Sequence, residues 1–195
     1  DDKAEILRNP LVRDFSHLPE IFTSAAWTFG SAGPYQLGSN YYRPIQYLSY
    51  AALYRVFGLE PWGYHLYKLL SHLGVCWLFF WIVWRWRQDY SVALCSSLLF
   101  AVHTANTEAV AWISGITDTT CTLFFLASLL FYLKDRSDPT TPRLFLLSLL
   151  FLLGMLSKET MATFLGVIFV YDWLETGRFP RVKSNLRVFC PLLAT

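Results

Sequence analysis

Charge is scarce in this chain. Only 15% of its 195 residues are Asp, Glu, Lys or Arg, against about a quarter in ordinary soluble domains. So few ions cannot cover a water-facing surface, which argues against a soluble globular fold. Nor does one sign dominate: the formal net charge of +2 is too small and too scattered for a phosphate-tracking surface, so nucleic acid is not an expected partner. Paired cysteines are missing as well. Cys76, Cys95, Cys121 and Cys190 stand singly in apolar runs, without the spacing of a zinc site or redox pair, and read as small buried hydrophobes. Internal repeats, low-complexity tracts and a second soluble domain are not apparent. No signal peptide is visible, the chain opens on Asp1, and it stops inside the apolar run 188–194. It therefore reads as a segment cut at both ends, with a first membrane helix expected ahead of Asp1.

Apolar and aromatic residues fill the space that charge leaves, at 54% and 18% of the chain. Residues 64–84 are long enough to span a bilayer, which takes about 20 helical residues. Shorter apolar runs follow at 91–105, 117–133, 144–157 and 160–174, and another begins at 188. These runs have almost no polar face, unlike the surface helices of a soluble core. The sequence thus predicts an all-α, polytopic membrane bundle over 63–195. Residues 1–62 are too polar to span and read as an external loop with interfacial amphipathic helices at 17–29 and 44–57. Pro44 suits a first helical position, and 30–34 reads as a turn. Tyr41, Tyr42, Tyr47, Tyr50, Tyr54, Trp62, Tyr64 and Tyr67 suit an aromatic belt at headgroup level.

The basic residues set sidedness. Loops 85–90, 134–143 and 175–187 hold Arg85, Arg87, Lys134, Arg136, Arg143, Arg178, Arg181, Lys183 and Arg187, whereas 103–118 and 157–159 hold only Lys158. By the positive-inside rule the basic loops are cytoplasmic. The opposite face then gathers Asp1, Asp2, Arg43, His103, Glu108, Asp118, Lys158 and Glu159.

Each of these has a plain and a chemical reading. Asp1-Asp2 is a solvated chain end or a catalytic pair. Arg43, in the run Tyr41-Tyr42-Arg43-Pro44, snorkels to the interface or clamps a phosphate with its forked donors. His103 and Glu108 lie near membrane depth, where ionisable groups are costly and usually functional. They lack an HExxH arrangement and a third ligand, so no metal motif is present. Lys158-Glu159 is a self-neutralising pair at a helix junction or part of a site. Asp172, at the cytoplasmic end of a span, reads as structural. Carboxylates, an arginine, a lysine and a lipid-facing cleft together suit a lipid-linked phosphate leaving group. One carboxylate would serve as general base on an acceptor hydroxyl, with Arg43 and Lys158 stabilising charge on the departing phosphate. A single attack at an anomeric carbon inverts it and needs one base. Spacing carries lipid-phosphate chemistry and does not specify a sugar.

Several separated motifs point further. Asp1-Asp2, Asn9-Pro10, Tyr41-Tyr42-Arg43-Pro44, the stretch from Gly58 to Leu66, His103, the stretch from Thr107 to Gly115, and Ser157-Lys158-Glu159 occur in this order. Over almost the whole chain this resembles the transmembrane, tetratricopeptide-repeat-containing O-mannosyltransferases and their bacterial relatives. The resemblance implies a C-type glycosyltransferase fold. It also implies a sugar, mannose, moved from a polyprenyl or dolichyl phosphate to a protein or glycan hydroxyl. Asp1 and Asp2 would hold the base position, Asp1 favoured, with Arg43 and Lys158 near the donor phosphate. Tyr42, His103, Glu108 and Glu159 would line the cleft. Metal dependence is open: the two acids could hold a divalent ion, although the cations make one unnecessary, and no other cofactor is implied. Thr104 stands where the family has Pro, and Ile116 where it has Arg. The site would face the periplasm of a bacterial inner membrane, favoured by the short loops, or the lumen of the endoplasmic reticulum, and tetratricopeptide repeats would follow. The other readings are a lipid-linked-sugar flippase or transporter, which calls for inverted repeats, and a non-catalytic membrane anchor for a repeat domain.

Overall fold

A computed structural model describes residues 6, 9–13, 18–23, 41–135 and 141–177. Asp1-Asp2, the turn at 30–34 and the run from 188 lie outside the described residues. Among the described residues every element is helical: α1 (Leu18–Thr23), α2 (Pro44–Phe57), α3 (Pro61–Arg87), α4 (Tyr90–Val102), α5 (Thr107–Ala111), α6 (Ile116–Asp135), α7 (Thr141–Ser157) and α8 (Thr163–Thr176), with short 3-10 turns between several of them.

Prolines start the first two long helices. Pro44 and Pro61 occupy first-turn positions of α2 and α3, where a missing N–H costs nothing and a fixed φ favours the helix. Gly58 closes α2 at φ 61° and returns its N–H to the Tyr54 carbonyl at 2.8 Å. The Tyr64 hydroxyl donates to the Gly58 carbonyl at 2.7 Å, and Phe57 meets Trp62 edge to face at 4.9 Å. The 58–66 motif is thus a corner joining α2 to α3.

Helix α3 is arranged inside out. Tyr64, Lys68, Ser71, His72, Val75 and Cys76, at one-turn spacing, form its buried stripe, while Leu66, Leu69, Leu70, Leu73 and Trp77 are exposed. A helix dissolved in water hides the leucines and exposes the lysine; a helix in lipid does the reverse, turning ionisable groups to the bundle interior. Two helical segments, Pro61–Arg87 and Ile113–Lys134, are long and apolar enough to cross a membrane; Tyr90–Val102 and Thr141–Ser157 are shorter apolar helices. Without water between helices, hydrophobic burial does little to drive them together, so small residues and polar contacts carry the packing. The Ser97 hydroxyl donates to the Cys76 carbonyl at 2.8 Å across α3 and α4. The Tyr132 hydroxyl donates to buried Asp172 at 2.7 Å across α6 and α8, in keeping with a structural Asp172.

Element boundaries shift where polar residues intervene. The run 64–84 is the middle of the longer α3. The run 91–105 ends as helix at Val102, because His103 turns extended and its Nδ1 accepts the Ala105 N–H at 3.1 Å. The run 160–174 is helical only from Thr163, because Lys158 is extended and 159–162 forms a 3-10 turn. Of the interfacial helix at 17–29, α1 is the described part, and α2 covers 44–57.

The aromatic-belt expectation requires correction. Tyr47, Tyr50 and Tyr64 are buried in a core with Ile6, Leu11, Val12, Ile21, Leu53 and Ile116. Residues 44, 47, 50, 51 and 53 share the inward face of α2, so these tyrosines fasten α2 to the bundle. Tyr41, Tyr42 and Trp62 are exposed. A second core joins α6, α7 and α8 through Cys121, Tyr132, Leu147, Phe151, Met161, Phe164 and Ile168.

Candidate active site

The strap 158–162 between α7 and α8 organises the site. Lys158 is extended, with φ −160° and ψ 138°, so its side chain and that of Glu159 leave the strap on opposite sides. The strap is tied back to α7 at its start, where Lys158 N–H donates to the Gly154 carbonyl at 3.0 Å, and it closes on itself, with Met161 N–H donating to the Lys158 carbonyl at 3.1 Å. Met161 is fully buried against Gly154, where an added Cβ would meet its sulfur at 2.7 Å. The glycine gives the Met161 side chain room to lie directly against α7.

Two ion pairs flank the strap. On one side Arg43 donates through a single nitrogen, Nη2, to both Glu159 oxygens, at 2.8 and 3.1 Å. On the other, the Lys158 ammonium is paired with Asp118 in the first turn of α6. One turn along α6, the Cys121 thiol lies 3.8 Å from the Lys158 carbonyl and 3.6 Å from the Thr160 hydroxyl. Asp118 and Cys121 therefore hold the strap from the same helix face.

Arg43 is positioned by its own motif. As the residue before Pro44 it is kept out of helical conformation, at φ −138°, and it projects from the head of α2. The Tyr41 ring lies under its guanidinium at 4.6 Å, a cation–π contact. The Tyr42 hydroxyl ties the segment to the Phe22 carbonyl of α1 at 2.7 Å. Arg43 Nε is buried without an acceptor among the described residues, so its donors are not all used.

In both pairs the cation is the inner member. Arg43 and Lys158 side chains are 18% and 22% exposed, against 54% for Glu159 and 49% for Asp118. Burial raises the Glu159 carboxyl. Its own backbone N–H, the Arg43 hydrogen bond and the charges of Arg43 and Lys158 outweigh that and hold it below its ordinary value.

Of the expected site residues, the fold brings together Arg43, Lys158 and Glu159, with Tyr42 bracing Arg43. Lys158 and Glu159 do not neutralise each other, since each finds its partner on a different helix. His103 and Glu108 are exposed. The histidine caps the turn 104–106, and Glu108 makes no side-chain contact with the cluster among the described residues. Beside them lies a cleft of about 280 Å³ lined by Leu69, His72, Val102, His103, Thr107 and Val110. Ile116 is buried in the first core. Among the described residues no group of three His, Cys, Asp or Glu gathers as a metal site.

Asp118 was missing from the expected set, although it shared the expected face. So was Lys68, fully buried on α3, with its ammonium 3.1 Å from where a Cβ on Gly115 would lie. Its signal was legible: it is the one charged residue within the run 64–84, and charge inside a span marks function or partnership.

Among the described residues, these features define an all-helical membrane-type fold with an apolar exterior and a two-cation, two-carboxylate cluster at one end of its helices. The chain belongs to the TMTC protein O-mannosyl-transferase family. It is 31% identical over 204 residues to protein O-mannosyl-transferase Tmtc3 of Drosophila melanogaster, covering 88% of this chain and 21% of that protein. With TMTC1 of Homo sapiens it shares 33% identity over 208 residues (98% and 23%), and with tmtc2 of Xenopus laevis 35% over 190 residues (95% and 22%). The chain spans less than a quarter of the length of these three relatives. No family model matches it, and no solved structure does.

Proposed function

We propose that the protein is a multi-pass membrane glycosyltransferase. It moves a sugar, mannose by the names of its relatives, from a polyprenyl or dolichyl phosphate to a hydroxyl of a protein acceptor on the non-cytoplasmic face. The observation that carries the reading is the convergence of Arg43 and Lys158, 115 positions apart in sequence, on the two sides of one strap, both near enough for their charges to act on Glu159. Phosphate recognition calls for such an arrangement of cations. The apolar lining of the cleft beside His103 suits an isoprenoid tail.

In the proposed step Asp1 or Asp2 takes the proton of the acceptor hydroxyl. The acceptor oxygen bonds to the anomeric carbon as the bond from that carbon to the phosphate oxygen breaks. Polyprenyl phosphate leaves with the electron pair, and Arg43 and Lys158 stabilise its growing charge. Tyr42 holds Arg43 in place, and Glu108 and His103 border the sugar and tail. The animal relatives lend no weight to the bacterial inner membrane over the endoplasmic reticulum.

The test is transfer of labelled mannose from mannosyl polyprenyl phosphate to a Ser/Thr peptide by the purified full-length protein. Arg43→Gln and Lys158→Gln are each expected to lower the rate by about a hundredfold, as loss of a charge-stabilising donor does. Unchanged transfer in both variants would overturn the assignment.

A further inference from the structure

The two cations of the cluster are not open to a ligand. Each is the inner, more buried member of an ion pair, and a more exposed carboxylate covers it from outside. A phosphate approaching Arg43 or Lys158 therefore meets Glu159 or Asp118 first. The cluster holds two positive and two negative groups and is neutral at rest. Neither carboxylate is locked in. Asp118 is half exposed at the start of α6, and Glu159 engages Arg43 through one guanidinium nitrogen only.

We infer that Asp118 and Glu159 are resident counter-ions of the donor site, exchanged for phosphate charge during the reaction and returning to expel the product. This rests on the assignment of Arg43 and Lys158 to the donor phosphate.

Charge counting gives the exchange an order. A glycosyl phosphodiester carries one negative charge, and displacing one carboxylate admits it with the cluster still neutral. When the glycosidic bond breaks, the phosphate becomes a monoester with a second negative charge at neutral pH. Neutrality then requires the second carboxylate to give up its cation. The second cation is engaged only as charge develops, so its attraction acts on the transition state more than on the bound donor, which is the condition for faster chemistry. After transfer the carboxylates compete with polyprenyl phosphate for both cations and drive its release. The fold suits this role: the strap backbone that carries Lys158 is held by Gly154, Met161 and Cys121, and Arg43 is held at the head of α2 over the Tyr41 ring, so the exchange needs only side-chain rotation of the more exposed Asp118 and Glu159.

Asp118→Asn and Glu159→Gln keep shape and remove the competing charge. Each is expected to lower the donor KM by about two- to fivefold, the range set by an exposed ion pair. Each should lower the inhibition constant of polyprenyl phosphate by more than the donor KM, because the product carries the extra charge. The Arg43→Gln, Lys158→Gln double variant, the control for the underlying assignment, should raise both the donor KM and the inhibition constant of polyprenyl phosphate. If it does so while both carboxylate variants raise the donor KM too or leave it unchanged, the counter-ion role is overturned and the phosphate assignment stands. If it leaves both constants unchanged, the assignment falls and this inference with it. A purely structural carboxylate would lower the folded fraction and kcat without tightening donor or product. Should Asp118→Asn fail to fold, Glu159→Gln carries the same test at the Arg43 seat.

Discussion

At the scale of single residues, the site is decided by which member of each ion pair is buried. Arg43 and Lys158 lie inward and Glu159 and Asp118 outward, so the inner charges are positive and the outer ones negative. The Glu159 pairing carries a pH signature. Its folded pKa lies below the ordinary value of 4.5. The stabilisation is therefore fully present above that value and is lost as pH falls through the lowered folded pKa. Because Glu159 is more than half exposed, the pair is worth no more than about 1 kcal/mol. The midpoint of thermal unfolding in detergent should be slightly higher for wild type than for Glu159→Gln at pH 6, and the gap should close at strongly acidic pH. A gap that widens on acidification would mean that Glu159 is not held as a carboxylate. Charge type and motif made Arg43, Lys158 and Glu159 legible in the sequence. Their partners were not: Glu159 lies 116 residues from Arg43 and Asp118 lies 40 from Lys158, and local patterns do not encode contacts so distant.

At the scale of elements, apolar runs located the helices well and their ends less well. Hydrophobicity placed α3, α4, α6, α7 and α8, and Pro44 marked the start of α2. What hydrophobicity could not give was the break at 158–162, where the backbone turns extended to send Lys158 and Glu159 apart. The tyrosines of α2 were misjudged for a related reason: aromatic residues suit both a membrane surface and a core. The inward face of α2 against Ile6, Leu11, Val12 and Ile21 decided for the core. The seat of the strap is open to test through Gly154. Gly154→Ala places a methyl 2.7 Å from the Met161 sulfur, and Met161 is fully buried, so its side chain must repack. Overpacking of this kind costs about 1–3 kcal/mol. The expected result is a lower unfolding midpoint and a higher donor KM, both partly restored in the Gly154→Ala, Met161→Ala double variant. Loss without restoration would place the defect elsewhere than at this contact.

At the scale of the whole molecule, an apolar exterior and a buried polar stripe on α3 make one arrangement. Leucines and tryptophans face outward, and Lys68, Ser71 and His72 face the bundle. Membrane class was legible because scarce charge and long apolar runs are global properties that need no contact map. The family was legible because its motifs are spread in order along the chain, and the similarity to TMTC1 of Homo sapiens covers 98% of it. The ionic cluster lies at one end of the helices, where it would receive a lipid-linked phosphate; the pair Asp1-Asp2 is the proposed base. The most direct measurement is mannose transfer from mannosyl polyprenyl phosphate to a peptide hydroxyl by the full-length protein, with Asp1→Asn, Asp2→Asn and the double variant compared at equal folded amount. Transfer falling to background in the double variant and in at least one single variant, with donor binding retained, is the expected result. Transfer at the wild-type rate in all three would contradict the assignment of the acidic pair as the base.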